Sequence, residues 1–250
     1  MGNRFYLFRN NIQDTVSIIM KLKKIGLNNN QLKIIAMIAM TLDHAGKELF
    51  PQYEIFPIIG RLAFPIFAFM IAEGCMYTKN RLKYLLQIGI LAFGCQLVYF
   101  IAMGSLYQNV LVTFTLAIII IFSIDGLLKK KNALWAFLSV ASVALTVFLC
   151  FFAKDALNLK GFHIDYGFFG VLLPVAVYFS KGKLMKLSSL SLCLAALGFS
   201  LGNVQWYAFA VLPLLLLYNG KRGKLNLKYV FYIFYPAHLA VIYLISLVVK

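Results

Sequence analysis

TLDHAGKELFPQYEIFPIIGRLAFPIFAFMIAEG, residues 41–74, joins the end of one apolar stretch to the whole of the next. Asp43, His44, Lys47, Glu48, Arg61 and Glu73 interrupt it. Ionisable groups in hydrocarbon are costly, so they usually pair with one another or serve a pathway or a reaction. This segment is therefore expected to hold the active-site core, on two helices joined by a polar turn.

The rest of the chain supports a membrane setting. Of 250 residues, 62% are hydrophobic and 13% charged, whereas soluble domains sit nearer half apolar with about a quarter charged. The net charge of +16 does not indicate nucleic acid. Its Lys and Arg residues punctuate apolar segments instead of clustering on one solvated domain. Cys75, Cys95, Cys150 and Cys193 stand singly in apolar stretches without zinc or redox spacing, so they read as small buried hydrophobes.

Residues 1–30 form a basic tail or an interfacial helix, with Ile12, Val16, Ile19 and Leu22 beside Lys21, Lys23 and Lys24. No secretory signal is expected there, and Met20 is a second candidate start. Residues 31–250 read as one transmembrane domain. Its apolar segments lie near 32–50, 57–77, 84–103, 107–128, 133–153, 163–180, 185–201, 203–218 and 228–249. The seventh and eighth are short. The expected fold is all-α, a polytopic membrane helix bundle with about nine transmembrane helices.

Loop charge sets the orientation. Lys79, Arg81 and Lys83 follow the second segment, Lys129–Lys131 the fourth, Lys181, Lys183 and Lys186 the sixth, and Lys221, Arg222, Lys224 and Lys228 the eighth. Nineteen of the 24 Lys and Arg residues fall on that side, against Lys47, Arg61, Lys154, Lys160 and Lys250 on the other. The positive-inside rule makes the rich side cytoplasmic. The N-terminus is then cytoplasmic, in a multi-pass protein of the cell membrane, and the polar cluster of the first two helices lies toward the non-cytoplasmic half.

Within the first helix, residues four apart share a face, which stacks His44 over Glu48 and Asp43 over Lys47. A carboxylate beside an imidazole orients it and supports its protonated form, as a general base requires. Arg61 is expected to neutralise Asp43, or to act as an anion clamp or oxyanion stabiliser. Glu73, ~18 Å further along a helix, belongs to a different contact set. Tyr235 and His238 share a face of the last helix, around Pro236. The histidines and carboxylates are scattered over distant helices without motif spacing, so no metal is expected. Pro65, Pro174, Pro213 and Pro236 fall inside helices, where a missing N–H usually bends the helix.

The stretches LKIIAMIAMTLDHAG (32–46), IIGRLAFPIFAFMIAEG (58–74), YQNVLVTFTLAI (107–118), HIDYGFFGVLLP (163–174) and FYIFYPAHLAVI (231–242) resemble successive blocks of the TraX family, the F-pilin acetylase-like membrane proteins. The paired Asp43–His44 and the GRLAFPIFAF of residues 60–69 are the most specific parts. The resemblance implies an integral membrane acyltransferase that moves an acetyl group from cytoplasmic acetyl-CoA, as donor substrate, to a membrane-presented acceptor. That acceptor is the N-terminal amine of pilin in the named case, or otherwise another peptide, a lipid or a glycan. The matching positions are Asp43, His44, Arg61, Pro65, Glu73, Gln108, Asn109, Asp165, Gly167, Tyr235, Pro236 and His238.

The catalytic set expected is His44 with Asp43, Glu48 and Arg61, Asn109 or Tyr235 assisting Arg61. Glu73, Gln108, Asn109, Asp165, Tyr235 and His238 are the substrate-binding candidates. Two other readings remain: a proton-coupled transporter or flippase using the same charges as a relay, and a non-catalytic pilus or envelope assembly factor.

Overall fold

The computed structural model describes residues 26–224 and 227–249. The expectation for the basic tail falls mostly outside the described residues. The described chain is helical almost throughout, since in lipid each backbone polar group needs a partner within its own segment.

Helix α1 (Asn29–Leu49) starts at a capping box. The Asn28 side chain accepts from the Gln31 N–H, and the Gln31 side chain accepts from the Asn28 N–H. Its buried face carries Leu32, Ala36, Ala39, Asp43 and Gly46 at alternating steps of four and three, so Asp43 is carried inward by the same periodicity that buries the aliphatics. Lys47 and Glu48 are exposed.

The second apolar segment is two helices, α2 (Ile55–Gly60) and α3 (Ala63–Tyr77). The break at Arg61 and Leu62 departs from the single span expected. It changes the reading of Pro65, which lies in the first turn of α3, where a missing N–H removes no helical bond. Pro57 is likewise near the start of α2. Glycine makes the α1–α2 approach possible: a Cβ on Gly60 would lie 2.4 Å from the Asp43 Cβ, and one on Gly46 would lie 2.3 Å from the Phe56 Cβ.

The chain continues through α4 (Arg81–Met103), β1 (Tyr107–Gln108), α5 (Val110–Lys130), α6 (Ala133–Val147), a π-helical turn (Phe148–Phe152), α7 (Ala153–Ala156), β2 (His163–Ile164) and α8 (Gly167–Phe179). It ends with α9 (Gly182–Leu201), a 3₁₀ segment (Asn203–Ala210), α10 (Val211–Leu216) and α11 (Lys228–Val249). Pro213 lies in the first turn of α10, whereas Pro174 and Pro236 are inside helices as expected.

Six described segments are long and apolar enough to cross a membrane: Ile55–Tyr77, Arg81–Ile101, Val110–Lys130, Ala133–Ala156, Gly182–Leu201 and Val230–Val248. Gly167–Phe179 and Asn203–Leu216 are apolar but shorter, and α1 is polar at both ends. By length and composition this is a multi-pass membrane protein. The all-α expectation needs one amendment, a two-residue parallel pairing of β1 with β2, Tyr107 opposite His163 and Gln108 opposite Ile164. It gives two loop backbones the partners that a helix would have supplied.

The core is apolar, from Leu32 and Ala36 on α1, Ile66 and Phe69 on α3, Ile118 and Ile121 on α5, Leu173 on α8 and Leu194 on α9. At the end of the bundle rich in Lys and Arg, buried or half-buried carboxylates join neighbouring helices. Glu73 of α3 accepts from Lys186 of α9 at 2.6 Å, and Asp125 of α5 pairs with Arg81 of α4 and, at 2.8 Å, with Lys129.

Candidate functional site

The polar turn after α1 assembles a cluster at the end of the bundle remote from Lys186. Asp43 pairs with Lys47 at 2.5 Å, the i,i+4 contact expected, and with Arg61 Nη2 at 2.8 Å. Arg61 sits in the break between α2 and α3, its Nε donating to the Pro57 carbonyl at 3.1 Å and its Nη1 to the Gln205 Oε1 at 3.3 Å. A guanidinium can only donate, so Arg61 determines which way the Gln205 amide faces. Gln205, from the 3₁₀ segment, is 2% exposed, and its Nε2 has no hydrogen-bond partner. A buried orphan donor costs about 1–3 kcal/mol.

His44 lies beside Asp43 in the chain, but its ring meets neither Asp43 nor Glu48. His44 Nδ1 is 2.9 Å from Nε2 of His238 on α11. Glu48 is exposed. The orientation expected from the helical stacking of His44 over Glu48 is thus replaced by a contact between the first and last described helices. His238 Nδ1 in turn is 2.8 Å from the Phe234 carbonyl oxygen.

That last contact determines the protons. A carbonyl only accepts, so His238 carries its proton on Nδ1 and offers the Nε2 lone pair. His44 must then carry its proton on Nδ1, which leaves the lone pair of His44 on Nε2. No partner for that Nε2 is recorded among the described residues. Phe234 also stacks on the His238 ring at a centroid distance of 4.6 Å, and Tyr235 meets it edge-on at 5.6 Å. His238 and Tyr235 are buried, so the pair is held by packing as well as by hydrogen bonds.

The remaining candidates divide by place. Asp165 lies in the loop before α8, accepting from the Tyr107 hydroxyl at 2.6 Å, while its backbone N–H donates to the Gln108 carbonyl at 3.0 Å and its own carbonyl accepts from the Thr113 hydroxyl at 2.6 Å. Burial pushes the Asp165 carboxyl above its ordinary range, against the opposing effect of the Tyr107 hydrogen bond. The Gln108 side chain donates to the Leu106 carbonyl. Asn109 caps α5, accepting from the Leu111 N–H, and its amide donates to Gln96 and to the Ala92 carbonyl. Its polar atoms hold this loop, and its hydrogen bonds do not include Arg61, the group it was expected to assist. Glu73 belongs to the opposite end, accepting from Lys186 and, at 3.3 Å, from the Tyr218 hydroxyl.

A cavity of about 160 Å³ opens between α1, α3, α4, α5 and α11. Asn30, Lys33 and Arg222 line it near the start of α1, and Met40, Phe234 and Tyr235 near the histidine pair. Among the described residues, no group of three or more His, Cys, Asp or Glu side chains is arranged to hold a metal ion.

Nothing in the local sequence marks Gln205 as a site member, and the two histidines lie far apart in the chain. Their joining depends on the packing of α1 against α11, and spacing within either helix carries no signal of it.

Comparison with known proteins agrees with the blocks quoted above. The TraX protein family matches residues 28–246. The chain is similar to the "Probable fimbrial assembly protein FimC, serogroup H1" of Dichelobacter nodosus, at 31% identity over 88% of this chain and 96% of the relative. A shorter likeness, 55% identical over 38 residues and 15% of each chain, connects it to the "Uncharacterized protein RP591" of Rickettsia prowazekii (strain Madrid E). No solved structure matches. The chain belongs to the TraX family.

Proposed function

We propose that the protein is a membrane acetyltransferase in which His44 is the general base, moving an acetyl group from acetyl-CoA to an amine or hydroxyl presented at the membrane. The observation that carries this reading is the His44–His238 hydrogen bond, because the Phe234–His238–His44 chain leaves a lone pair on His44 Nε2. His238 acts as the positioning residue, holding the tautomer and accepting from the ring that becomes cationic.

In the proposed reaction, the acceptor nitrogen or oxygen attacks the thioester carbonyl carbon as His44 Nε2 removes its proton. The tetrahedral intermediate collapses with cleavage of the C–S bond. The proton passes from His44 to the departing thiolate, leaving acetylated acceptor, free thiol and neutral His44. The Asp43–Arg61 pair holds the outer turn beside His44, and the unpaired Nε2–H groups of Gln205 are available to an acceptor oxygen. Family membership supports the donor. The name of the Dichelobacter relative points to a fimbrial subunit as one acceptor class.

The test uses membranes carrying wild type or His44→Ala, given acetyl-CoA labelled in the acetyl group and a fimbrial or pilin peptide with a free N-terminus. Label should enter a protein, lipid or glycan fraction with wild type, and fall about 10²-fold or more in the variant. Undiminished transfer by intact His44→Ala would remove the base assignment. Absence of transfer across all acceptor fractions, with both proteins present, would favour assembly without chemistry.

A further inference from the structure

The acyl-transfer chemistry proposed above leaves one group unassigned, the donor that meets the thioester oxygen as it becomes an oxyanion. The donors expected from the sequence are committed elsewhere. Arg61 donates to Asp43, to the Pro57 carbonyl and to Gln205. The Asn109 amide donates to Gln96 and the Ala92 carbonyl, and Tyr235 is buried edge-on against the His238 ring.

Tyr166 stands at the entrance to α8 with a left-handed backbone, φ 59° and ψ 1°. A bulky residue seldom adopts that region, and does so where its surroundings over-determine it. Here the preceding residue is tied on both sides, the Asp165 N–H donating to the Gln108 carbonyl and the Asp165 carbonyl accepting from the Thr113 hydroxyl. The Tyr166 carbonyl accepts from the Gly170 N–H at 3.0 Å. The ring lies on Phe64 of α3, with 3.7 Å between centroids and 11° between planes, and Phe64 in turn stacks on Phe114 of α5 at 5.8 Å.

Loop, backbone and stack thus fix the phenol. Among the described residues its hydroxyl has no hydrogen-bond partner, and it is not sealed from solvent. A placed donor without a partner is what a developing oxyanion needs. The hydroxyl feels the charges of Asp165, Arg61 and Asp43, and Arg61 and Asp43 act on the His44 ring as well, so phenol and base neighbour the same ion pair. Burial and the Asp165 carboxylate hold the phenol well above its ordinary range, against the effect of Arg61. It therefore stays a donor at neutral pH.

We infer that Tyr166 is a catalytic residue of the transfer, its hydroxyl donating to the thioester carbonyl oxygen as the tetrahedral intermediate forms. As the acceptor's lone pair makes the new bond to carbon, the C=O π pair moves onto oxygen, and Tyr166 holds that charge without giving up its proton. When the π bond re-forms, the C–S pair leaves with sulfur, which takes the proton held by His44. The inference rests on the acyl-transfer reading for its reaction and on the placement of Tyr166 for its residue.

The test measures transfer from acetyl-labelled acetyl-CoA to a pilin peptide with a free N-terminus, in membranes carrying the full chain, with label also traced into lipid and glycan fractions. Tyr166→Phe keeps the stack on Phe64 and loses the donor. Its kcat should fall about 10²-fold with KM within about twofold of wild type, and its unfolding midpoint in detergent should match that of wild type. Tyr166→4-aminophenylalanine, introduced by codon suppression, restores an N–H at the same place and should recover part of kcat. Tyr166→4-methylphenylalanine fills the same space without a donor and should not. These two analogues, alike in shape, decide the matter if Tyr166→Phe unfolds early.

Undiminished kcat in a folded Tyr166→Phe, a change confined to KM, or equal activity of the amino and methyl analogues overturns the Tyr166 assignment and leaves the transfer reading standing. No transfer by wild type into any fraction, with the protein present, overturns both.

Discussion

His44 on α1 and His238 on α11, 194 residues apart in the chain, share a hydrogen bond of 2.9 Å, and the Phe234 carbonyl sets its direction. Replacing His238 by Leu removes the acceptor that holds the His44 Nδ1–H. Acetyl transfer should then fall at least about tenfold in kcat, with a smaller change in KM. His238→Gln, whose side-chain carbonyl can accept the same bond, should retain more activity than the Leu variant. Equal loss in both, or a change in KM alone, would remove the positioning role.

The two partners of Asp43 differ in consequence. Arg61 is 16% exposed in its side chain and Lys47 51%. Asp43→Ala leaves a mostly buried guanidinium without its carboxylate and should cost about 3 kcal/mol. Lys47→Ala removes a solvent-facing partner and should cost under about 1 kcal/mol. Thermal unfolding in detergent measures both, and a larger loss for Lys47→Ala would contradict the assignment of Arg61 as the principal partner.

Gly60 allows α2 to lie against Asp43. A Cβ there would come within 2.5 Å of Asp43 Oδ1 as well as 2.4 Å of its Cβ, so Gly60→Ala forces the helices apart or displaces the Arg61 pair. The expected cost is about 1–3 kcal/mol. Gly94, which has nothing within 4 Å of an added Cβ, provides the contrast: Gly94→Ala should be neutral or slightly stabilising. Similar unfolding midpoints for the two variants would show that the α1–α2 contact relaxes freely.

The loop charges predict a sidedness that labelling can test. With the four native cysteines replaced, Lys160→Cys should react with an impermeant maleimide on intact cells, and Lys181→Cys only after permeabilisation. The reverse pattern would invert the bundle and overturn the orientation read from the loop charges.

The Tyr107–Asp165 contact joins the loops before α5 and α8 at 2.6 Å. Tyr107→Phe removes a hydrogen bond to an ionisable acceptor and should cost about 1.5–3 kcal/mol. Asp165→Asn should cost less than Asp165→Ala, since the amide oxygen can still accept from Tyr107. A measured order with Asn below Ala would mean that Asp165 serves a partner other than Tyr107.

By itself the sequence determined the membrane class, most of the helical segments and one of the two local pairs, Asp43–Lys47. Apolar runs and basic loops are properties of neighbouring residues, and the Asp43–Lys47 contact follows from the rise of one helix turn. Family membership was also legible, because the blocks around Asp43–His44 and residues 60–69 are contiguous. The break at Arg61 was not, since α2 and α3 are both apolar and the interruption is stabilised by Pro57, Asp43 and Gln205 from separate elements. The partner of His44 was decided by tertiary structure alone. The carboxylate one turn further along the helix, Glu48, is turned toward the exposed side, Asp43 is taken by Lys47 and Arg61, and α11 packs against α1 with His238 at the matching height. Helical periodicity indicates which residues share a face of one helix. Which face of a distant helix arrives opposite is set by the packing of the whole bundle, and so are the tautomer of His44 and the cavity that ends beside it.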